Sequence, residues 1–272
     1  MSIVDLEVHQ VMSKIKGYII TLTQFPTPEW AITHSKSCTD KLIKSIKDTQ
    51  TEIEPIVFRA TEYKSLKEDL KLITYIDTSN LEYTYPMLHE GRERITGLYM
   101  MPPAPHEDVR FRIACMISHM RLWQKCIDMD EPIVVLEHDA IFTHKFKKEY
   151  ILEHKDFLGG VCGLNTPIRA TREDKHYAIL LNELGYGIHT VPSILHPDGV
   201  VDGKEIPSGL PGNSSYIITP LAAKALLKKT KEVGIWPNYV VMCKQLMGDW
   251  VQIAHPHFSE IQTHNSSTTQ IQ

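Results

Sequence analysis

The hydrophobic positions of the chain fall into short apolar runs separated by longer segments with helical spacing. Runs rich in β-branched residues at 17–23, 53–58 and 133–136 predict buried strands. Apolar residues recur every three or four positions within 29–47 and 109–129, which predicts helices. Because strand, helix and strand alternate, the pattern predicts an α/β fold with a mostly parallel sheet and crossover helices.

The second half of the chain has a weaker pattern. Residues 61–109 and 164–215 contain many breaks at Gly and Pro, so we predict irregular loops there, the first with a short helix and the second surrounding a site. The remaining predicted elements are helices at 146–157, 220–233 and 237–246, and strands at 157–163 and 215–219.

The length and hydrophobic content bound the organisation of the chain. Its 272 residues, 42% of them hydrophobic, fit one domain spanning 1–272, with 1–16 as a pre-segment and 264–272 as a loosely ordered tail. The first residues include acids and lack a long apolar core, so no signal peptide is predicted. No uncharged apolar run reaches the roughly 18 residues of a membrane span. We therefore expect a soluble, cytoplasmic protein.

Charge and cysteine content narrow the possible partners. A formal net charge of -4 favours neither a broad nucleic-acid surface nor a disordered acidic chain.

The five cysteines are widely spaced and include no C-x-x-C pair, so neither a disulfide framework nor a zinc site is indicated. Cys115 lies in an apolar run and is interpreted as a small buried hydrophobic residue. Free thiols suit a reducing compartment.

The clearest chemical signal is a pair of acids after the strand at 133–136. Glu137 and Asp139 are two residues apart, so in an extended segment their side chains point to the same side. Open α/β sheets bind ligands at the carboxyl ends of their strands. Two carboxylates there fit a hard cation such as Mn²⁺ or Mg²⁺, which completes its shell with substrate phosphates. The alternative is a turn in which an acid merely caps the strand.

Segments 112–126 and 131–140 resemble glycosyltransferase family 25, the lipooligosaccharide-biosynthesis type that also includes collagen hydroxylysine galactosyltransferases. The shared pattern is a helix of small residues with Ser118 and His119, then Leu-Trp, then a strand that ends in acids. Looser similarity extends to residues 18–22, 59–60, 211–212, 216–218 and 222–223.

This resemblance implies a GT-A-like, Rossmann-type enzyme that uses Mn²⁺ or Mg²⁺. It implies transfer of a sugar from a nucleotide-sugar of the UDP type to an acceptor hydroxyl, with inversion at the anomeric carbon. The expected metal ligands are Glu137, Asp139 and His264, the last because a late histidine can join the metal in GT-A-like enzymes. The expected donor-binding residues are Thr21, Leu22, Arg59, Ser118, His119, Glu137 and His138.

Several of these assignments have a plain structural alternative. His119 fits a hydrogen-bonded core histidine as well as a donor-pocket residue. Arg59 fits a bidentate contact to the donor diphosphate or an ordinary surface arginine. An inverting transfer also needs a general base for the acceptor hydroxyl. The candidate bases, each equally consistent with a solvated loop acid, are Asp198, Asp202 and Asp249.

Two positions depart from the family pattern. The family usually has Asp where this chain has His138, and an acid is missing after Asn238, where Tyr239 follows. These departures leave open a degenerate member that binds a nucleotide or saccharide without transferring it.

The acceptor expected by default is a saccharide, as in bacterial members of the family that decorate lipooligosaccharide. The alternative is a phage-encoded enzyme of the host cytoplasm that modifies DNA containing 5-hydroxymethylated pyrimidines. The Glu-His-Asp sequence favours that alternative, whereas the net charge of -4 disfavours it because DNA phosphates require a basic surface.

Overall fold

A computed structural model describes residues 14–23, 27–85, 91–100, 108–170, 174–192 and 206–262. The strands are β1 (Ile15–Thr21), β2 (Ile53–Arg59), β3 (Gly91–Arg92), β4 (Tyr99–Met100), β5 (Ile133–Glu137), β6 (Ala140–Phe142), β7 (Val161–Gly163), β8 (Gly187–Thr190), β9 (Ser215–Ile218), β10 (Val251–His255) and β11 (Ser259–Ile261). The helices are α1 (Glu29–Asp48), α2 (Leu66–Leu70), α3 (Val109–Met129), α4 (Glu149–Leu152), α5 (Asp174–Leu184), α6 (Pro220–Val233), α7 (Asn238–Val241) and α8 (Lys244–Met247).

Seven strands form the central sheet in the order β2-β1-β5-β9-β7-β10-β8. Strands β1, β2, β5, β7 and β10 share one direction, whereas β9 and β8 run antiparallel to their neighbours. Two short antiparallel pairs, β6 with β11 and β3 with β4, lie outside this sheet. The predicted α/β class with a mostly parallel sheet is confirmed.

Both faces of the sheet are buried, which explains the continuous apolar runs of its central strands. On one face Ile19 and Val134 pack with Leu42 of α1. On the other face Tyr18 and Val135 belong to a larger cluster built with α3 and α6. A polar residue in β1 or β5 would therefore face one of two cores, so only the ends of these strands are free to carry charge.

The two long helices that cover the larger core begin and end where the sequence predicts. The N-cap of α3 is Asp108, whose side chain accepts a hydrogen bond from the backbone N–H of Arg110 at 2.9 Å. Helix α6 has Pro220 in its first turn, behind Thr219, whose side chain caps the helix by accepting from the N–H of Ala222. These caps fix the start of each helix by local chemistry.

Several predicted elements are wrong, because pairing with distant segments overrides the local pattern. Only four residues of 146–157 are helical, in α4, since the backbone of Phe146 pairs with Thr51 and Glu52. The predicted helix at 237–246 is split into α7 and α8 by Cys243, which bridges to Gly209. The loop predicted at 164–215 contains α5 and β8.

The end regions also differ from the prediction. Strand β1 begins at Ile15, inside the predicted pre-segment, because its first residues pair with β2. The pattern did not predict β10 at all, since Gln252 interrupts its apolar run. That glutamine is buried and hydrogen-bonded to the backbone at Asp156 and Leu158. The predicted tail at 264–272 lies outside the described residues.

No helix in the described part of the chain combines the length and the apolar character needed to cross a bilayer.

We predict that Gly160→Ala destabilises the fold. A Cβ atom at this position would lie 2.1 Å from the carbonyl oxygen of Trp250, a backbone atom that cannot rotate away. Overpacking of this kind costs about 1–3 kcal/mol of unfolding free energy, measurable by urea denaturation. Gly91→Ala is the control, because a Cβ atom added there would have no neighbouring atom within 4 Å. Equal stabilities of the two variants would contradict the close approach of β7 to Trp250.

Candidate active site

Three parallel strands end side by side at one edge of the sheet. Ile20 of β1 is in register with Glu137 of β5, and Thr21 is in register with Arg59 of β2. The backbone N–H of Glu137 donates to the carbonyl oxygen of Ser214 at 2.8 Å, which holds the segment before β9 against the end of β5. The expected ligand-binding edge therefore gathers residues from four distant parts of the sequence.

The Glu137 side chain is held from two sides. Its Oε1 atom accepts a hydrogen bond from Nδ2 of Asn213 at 3.2 Å and lies 3.3 Å from Nε2 of His119. The side chain keeps 26% of its surface exposed, so the carboxylate is fixed by neighbours and still open to solvent on one side. Such a carboxylate can contact a bound cation without rearrangement.

His119 is fully buried in a hydrogen-bonded chain that crosses the core. Its Nδ1 atom lies 2.8 Å from the hydroxyl of Tyr216, which also accepts from the indole N–H of Trp123 at 2.9 Å. The ring of His119 is stacked on that of Tyr216, with centroids 5.8 Å apart and planes at 14°. The imidazole therefore has one orientation, and it presents Nε2 to Glu137.

Asn238 completes the surroundings of the imidazole. Its Nδ2 lies 2.9 Å from Nε2 of His119, and its Oδ1 accepts a weak hydrogen bond from Sγ of Cys115 at 3.8 Å. Because the thiol is a donor and Oδ1 can only accept, the amide orients its N–H groups toward His119. Nε2 is then an acceptor, and the Nδ1–H group donates to Tyr216.

Asp139 carries a carboxylate oxygen that no described residue satisfies. Its Oδ1 is shielded from solvent and has no hydrogen-bond partner among the described residues. Burial first, and then the negative charge of Glu137, raise the pKa of Asp139 from 3.8 to about 7. A divalent cation would remove both penalties, because it pairs the buried oxygen and neutralises the two carboxylates. Glu137 and Asp139 thus fit an oxygen-coordinated cation.

Cys115 belongs to neither hydrophobic cluster and lies beside the site, and burial raises the pKa of its thiol well above the usual range. It is partly exposed, whereas the other four cysteines are buried. One atom each of Cys115, His119 and Glu137 lies within 4.8 Å of the other two, which makes these residues a possible metal-binding group. The predicted helix position was right, but the side of the helix on which the thiol lies was decided by packing.

Three predicted donor residues use their polar atoms inside the chain. The Thr21 hydroxyl is 2.9 Å from that of Thr39, and the Leu22 N–H donates to the Ser35 hydroxyl at 3.0 Å. The Ser118 hydroxyl accepts from the N–H of Thr61 at 2.8 Å, and Ser118 is fully buried. These residues fix the loops after β1 and β2, and so shape the edge of the site.

Arg59 and His138 also have partners within the chain. Nη2 of Arg59 pairs with Asp69 at 2.6 Å, and the same buried carboxylate contacts Arg121 at 3.2 Å. His138 lies against α1, with its ring 6.5 Å from that of His34 and hydrogen-bonded to the backbone of Ile20. Burial lowers the pKa of His138. The histidine at the family's Asp position is thus directed toward α1.

The predicted general bases are not brought to this edge within the described residues. Asp249 precedes β10, whose first residue pairs with the first residue of β7, so it lies at the opposite, amino edge of the sheet. It is exposed and 3.7 Å from Lys244. The structure therefore places Asp249 away from the carboxylates at the carboxyl edge. The other two candidate bases, Asp198 and Asp202, lie outside the described residues. The candidate metal ligand His264 also lies outside them.

Two asparagines and a tyrosine at the site were not predicted as functional. Asn213 follows a Pro-Gly pair before β9, Tyr216 lies in that strand, and Asn238 follows Trp236 and Pro237. The loosely similar segments of the sequence include or adjoin Asn213 and Tyr216, which was the signal that could have found them. The roles of all three depend on contacts across 76 to 119 residues of sequence, which a local pattern does not reveal.

Comparison with known protein families identifies the family of the chain. The family model described as "Glycosyltransferase family 25 (LPS biosynthesis protein)" matches residues 36–242, which is more than half of the chain. The matched region contains Cys115, His119, Glu137, Asn213 and Asn238. No curated protein matches the chain.

We predict that Tyr216→Phe destabilises the protein by about 1–3 kcal/mol, because the buried indole N–H of Trp123 loses its acceptor. Tyr18→Phe is the matched control: its hydroxyl donates to the weak acceptor Sδ of Met129 at 3.4 Å, so we expect a loss below about 1 kcal/mol. Urea denaturation of both variants measures the difference. Equal losses would contradict a structural role for the Trp123–Tyr216–His119 chain.

Proposed function

Because the chain belongs to glycosyltransferase family 25 and is therefore a glycosyltransferase, we propose that it uses Mn²⁺ or Mg²⁺ and a nucleotide-sugar donor at the carboxyl edge of its sheet. The observation that carries this proposal is the pair of carboxylates after β5, one of which has a shielded oxygen with no partner in the described residues. The nucleotide of the donor is proposed to be of the UDP type.

Glu137 and Asp139 would hold the cation. When bound, the cation supplies charge neutralisation of the donor diphosphate as the sugar leaves. Asn213 holds the Glu137 carboxylate by a hydrogen bond of 3.2 Å, so this ligand is oriented before the donor arrives. Hydrogen-bonded partners of this kind tune metal affinity and activity by about 10–100-fold.

His264 is proposed as a third metal ligand. The last described residue, Gln262, donates its backbone N–H to the carbonyl oxygen of Asp139 at 2.7 Å. His264 is two residues further along the chain than Gln262, a separation of at most about 7 Å, which is the support for this proposal. The metal site would then combine two oxygen ligands with one imidazole.

The ends of β1 and β2 are proposed to receive the nucleotide. Thr21, Leu22 and Ser118 hold the loops that form this side of the edge. Arg59 and Arg121 both pair with Asp69 near the end of β2, and Arg59 is proposed to contact the donor diphosphate. His119, whose Nε2 lies 3.3 Å from Oε1 of Glu137, is proposed to line the donor pocket.

A saccharide hydroxyl is the proposed acceptor, and the transfer is proposed to invert the anomeric carbon. Tyr239 presents a ring with 41% exposure beside Asn238, and its hydroxyl accepts a hydrogen bond from Arg112 at 2.8 Å. An exposed ring held in place at the rim of the site offers a flat apolar surface to a sugar. Asp198 and Asp202 remain the proposed general bases.

We predict that Asp139→Asn lowers turnover by about 100-fold or more, because the isosteric amide cannot neutralise the cation. Metal-dependent stabilisation by the donor should disappear with it. Hydrolysis of the donor and thermal shift with Mn²⁺ measure the two effects. Asp249→Asn is the control, since that acid lies at the opposite edge, and it should retain activity. Full activity in Asp139→Asn would refute the proposed metal site.

A stability measurement separates loss of the site from loss of the fold in this variant. Folding raises the pKa of Asp139, so the stability contributed by this group is present below about pH 4 and is lost as the pH rises through about 7. Asparagine carries no such charge. In a chelator at pH 8, Asp139→Asn should therefore be at least as stable as the unaltered protein.

Two successive experiments identify the donor and then the acceptor. A panel of nucleotide-sugars should contain one that raises the melting temperature only with Mn²⁺ or Mg²⁺, and excess chelator should cancel the effect. Saccharides and duplex DNA containing 5-hydroxymethylated pyrimidines are then offered as acceptors with that donor. Transfer to the DNA alone would replace the saccharide proposal, and transfer that persists in chelator would refute metal dependence. The anomeric configuration of the product, read by NMR, tests inversion.

A further inference from the structure

Glu137, one of the two carboxylates, also lies close to a cysteine and a histidine of α3. Cys115 and His119 are four residues apart on one face of α3, and Glu137 meets them from the end of β5. One ligand atom of each lies within 4.8 Å of the other two. Cys115 and Glu137 are partly exposed, so a cation can reach the group from solvent.

The distance between the His119 and Glu137 ligand atoms suits a small tetrahedral cation. Two ligands bound at about 2.0–2.1 Å with a tetrahedral angle lie about 3.3 Å apart. The distance from Nε2 of His119 to Oε1 of Glu137 is 3.3 Å. A thiolate, an imidazole and a carboxylate are ligands of Zn²⁺, whereas Mn²⁺ and Mg²⁺ favour oxygen ligands. The group therefore differs in metal preference from the pair Glu137 and Asp139.

The surroundings already orient two of the three ligands. The Nδ1–H of His119 donates to Tyr216, and Glu137 accepts from Asn213, which is the outer support that metal-bound histidines and carboxylates generally have. The Asn238 amide contacts both the thiol and Nε2, so a cation entering the group would replace those two hydrogen bonds. The lone pair of Nε2 accepts from this amide and is thus available to a metal.

We propose that Cys115, His119 and Glu137 form a second metal site that binds Zn²⁺, with the fourth position open to water or another ligand. On binding, the thiol proton of Cys115 passes to solvent and the thiolate, imidazole and carboxylate bond to the cation. Glu137 belongs to both this group and the carboxylate pair. Zinc therefore withdraws Glu137 from Mn²⁺ and inhibits transfer. This inhibition rests on the proposed function, whereas the binding of zinc does not depend on it.

Co²⁺ is a direct probe of this site, because a cobalt–thiolate bond gives a charge-transfer band in the near ultraviolet. The full-length protein titrated with Co²⁺ should develop this band with a stoichiometry of one, and Zn²⁺ should abolish it. Cys115→Ser should lack the band, and Cys162→Ala, which removes a buried thiol of β7, should retain it. Absence of the band in the unaltered protein, or its persistence in Cys115→Ser, overturns the proposal.

A second measurement needs no variant. Burial raises the pKa of the Cys115 thiol, so alkylation of the native protein is followed at that residue by mass spectrometry at alkaline pH. Saturating Zn²⁺ should slow this alkylation at least about tenfold, since the thiolate is the nucleophile and coordination occupies it. An unchanged rate at Cys115 would overturn the proposal even if Cys115→Ser failed to fold.

Competition for Glu137 is tested by the electron spin resonance signal of free Mn²⁺. One equivalent of Zn²⁺ should release bound Mn²⁺ from the unaltered protein and leave it bound to Cys115→Ser. Mn²⁺ that stays bound to the unaltered protein beside zinc refutes the shared carboxylate. If the unaltered protein binds cobalt through Cys115 but never binds Mn²⁺, the proposed function fails and the zinc site stands.

Discussion

The carboxylates at the end of β5 are the constraint on which the site depends. Taking ionised groups out of water is costly unless they are paired, and the chain places Glu137 and Asp139 together at a partly buried edge. Glu137 accepts a hydrogen bond from Asn213, but Asp139 keeps a shielded oxygen without a partner in the described residues. The protein therefore contains a local excess of buried negative charge. A cation relieves that excess, so the proposed metal dependence rests on the same electrostatics that makes the metal-free site unfavourable.

The buried chain of Trp123, Tyr216 and His119 connects this edge to the core. It joins α3 to β9 and ends 3.3 Å from Glu137, so the position of that carboxylate depends on packing several residues away. All three side chains are fully buried, and each polar atom that they direct at one another is satisfied. Such a network is favourable only when complete. The network therefore links the stability of the larger core to the geometry of the proposed metal site. The family to which the chain belongs consists of glycosyltransferases.

The same carboxylate faces two ligand sets of different hardness. Asp139 offers oxygen, whereas Cys115 and His119 offer sulfur and nitrogen, so the metal would decide which neighbours of Glu137 coordinate it. One helical turn of α3 carries both the sulfur ligand and the nitrogen ligand. This arrangement ties a proposed response to zinc directly to the residues proposed to hold the donor cation, without a separate regulatory domain.

The sequence by itself determined the α/β class, the strand at 133–136, helices α3 and α6 with their ends, and the acids that follow β5. These features are encoded locally, by apolar periodicity, capping residues and adjacency to a strand end. Only the tertiary structure decided that Cys115 faces Glu137, that Asn213 and Asn238 complete the site, and that Asp249 lies at the opposite edge. Strand β10 and the split of the helix predicted at 237–246 were likewise decided by distant pairing. The physical reason is that the order and direction of the strands decide which strand ends lie side by side. Contacts across many tens of residues leave no periodic signal in the sequence.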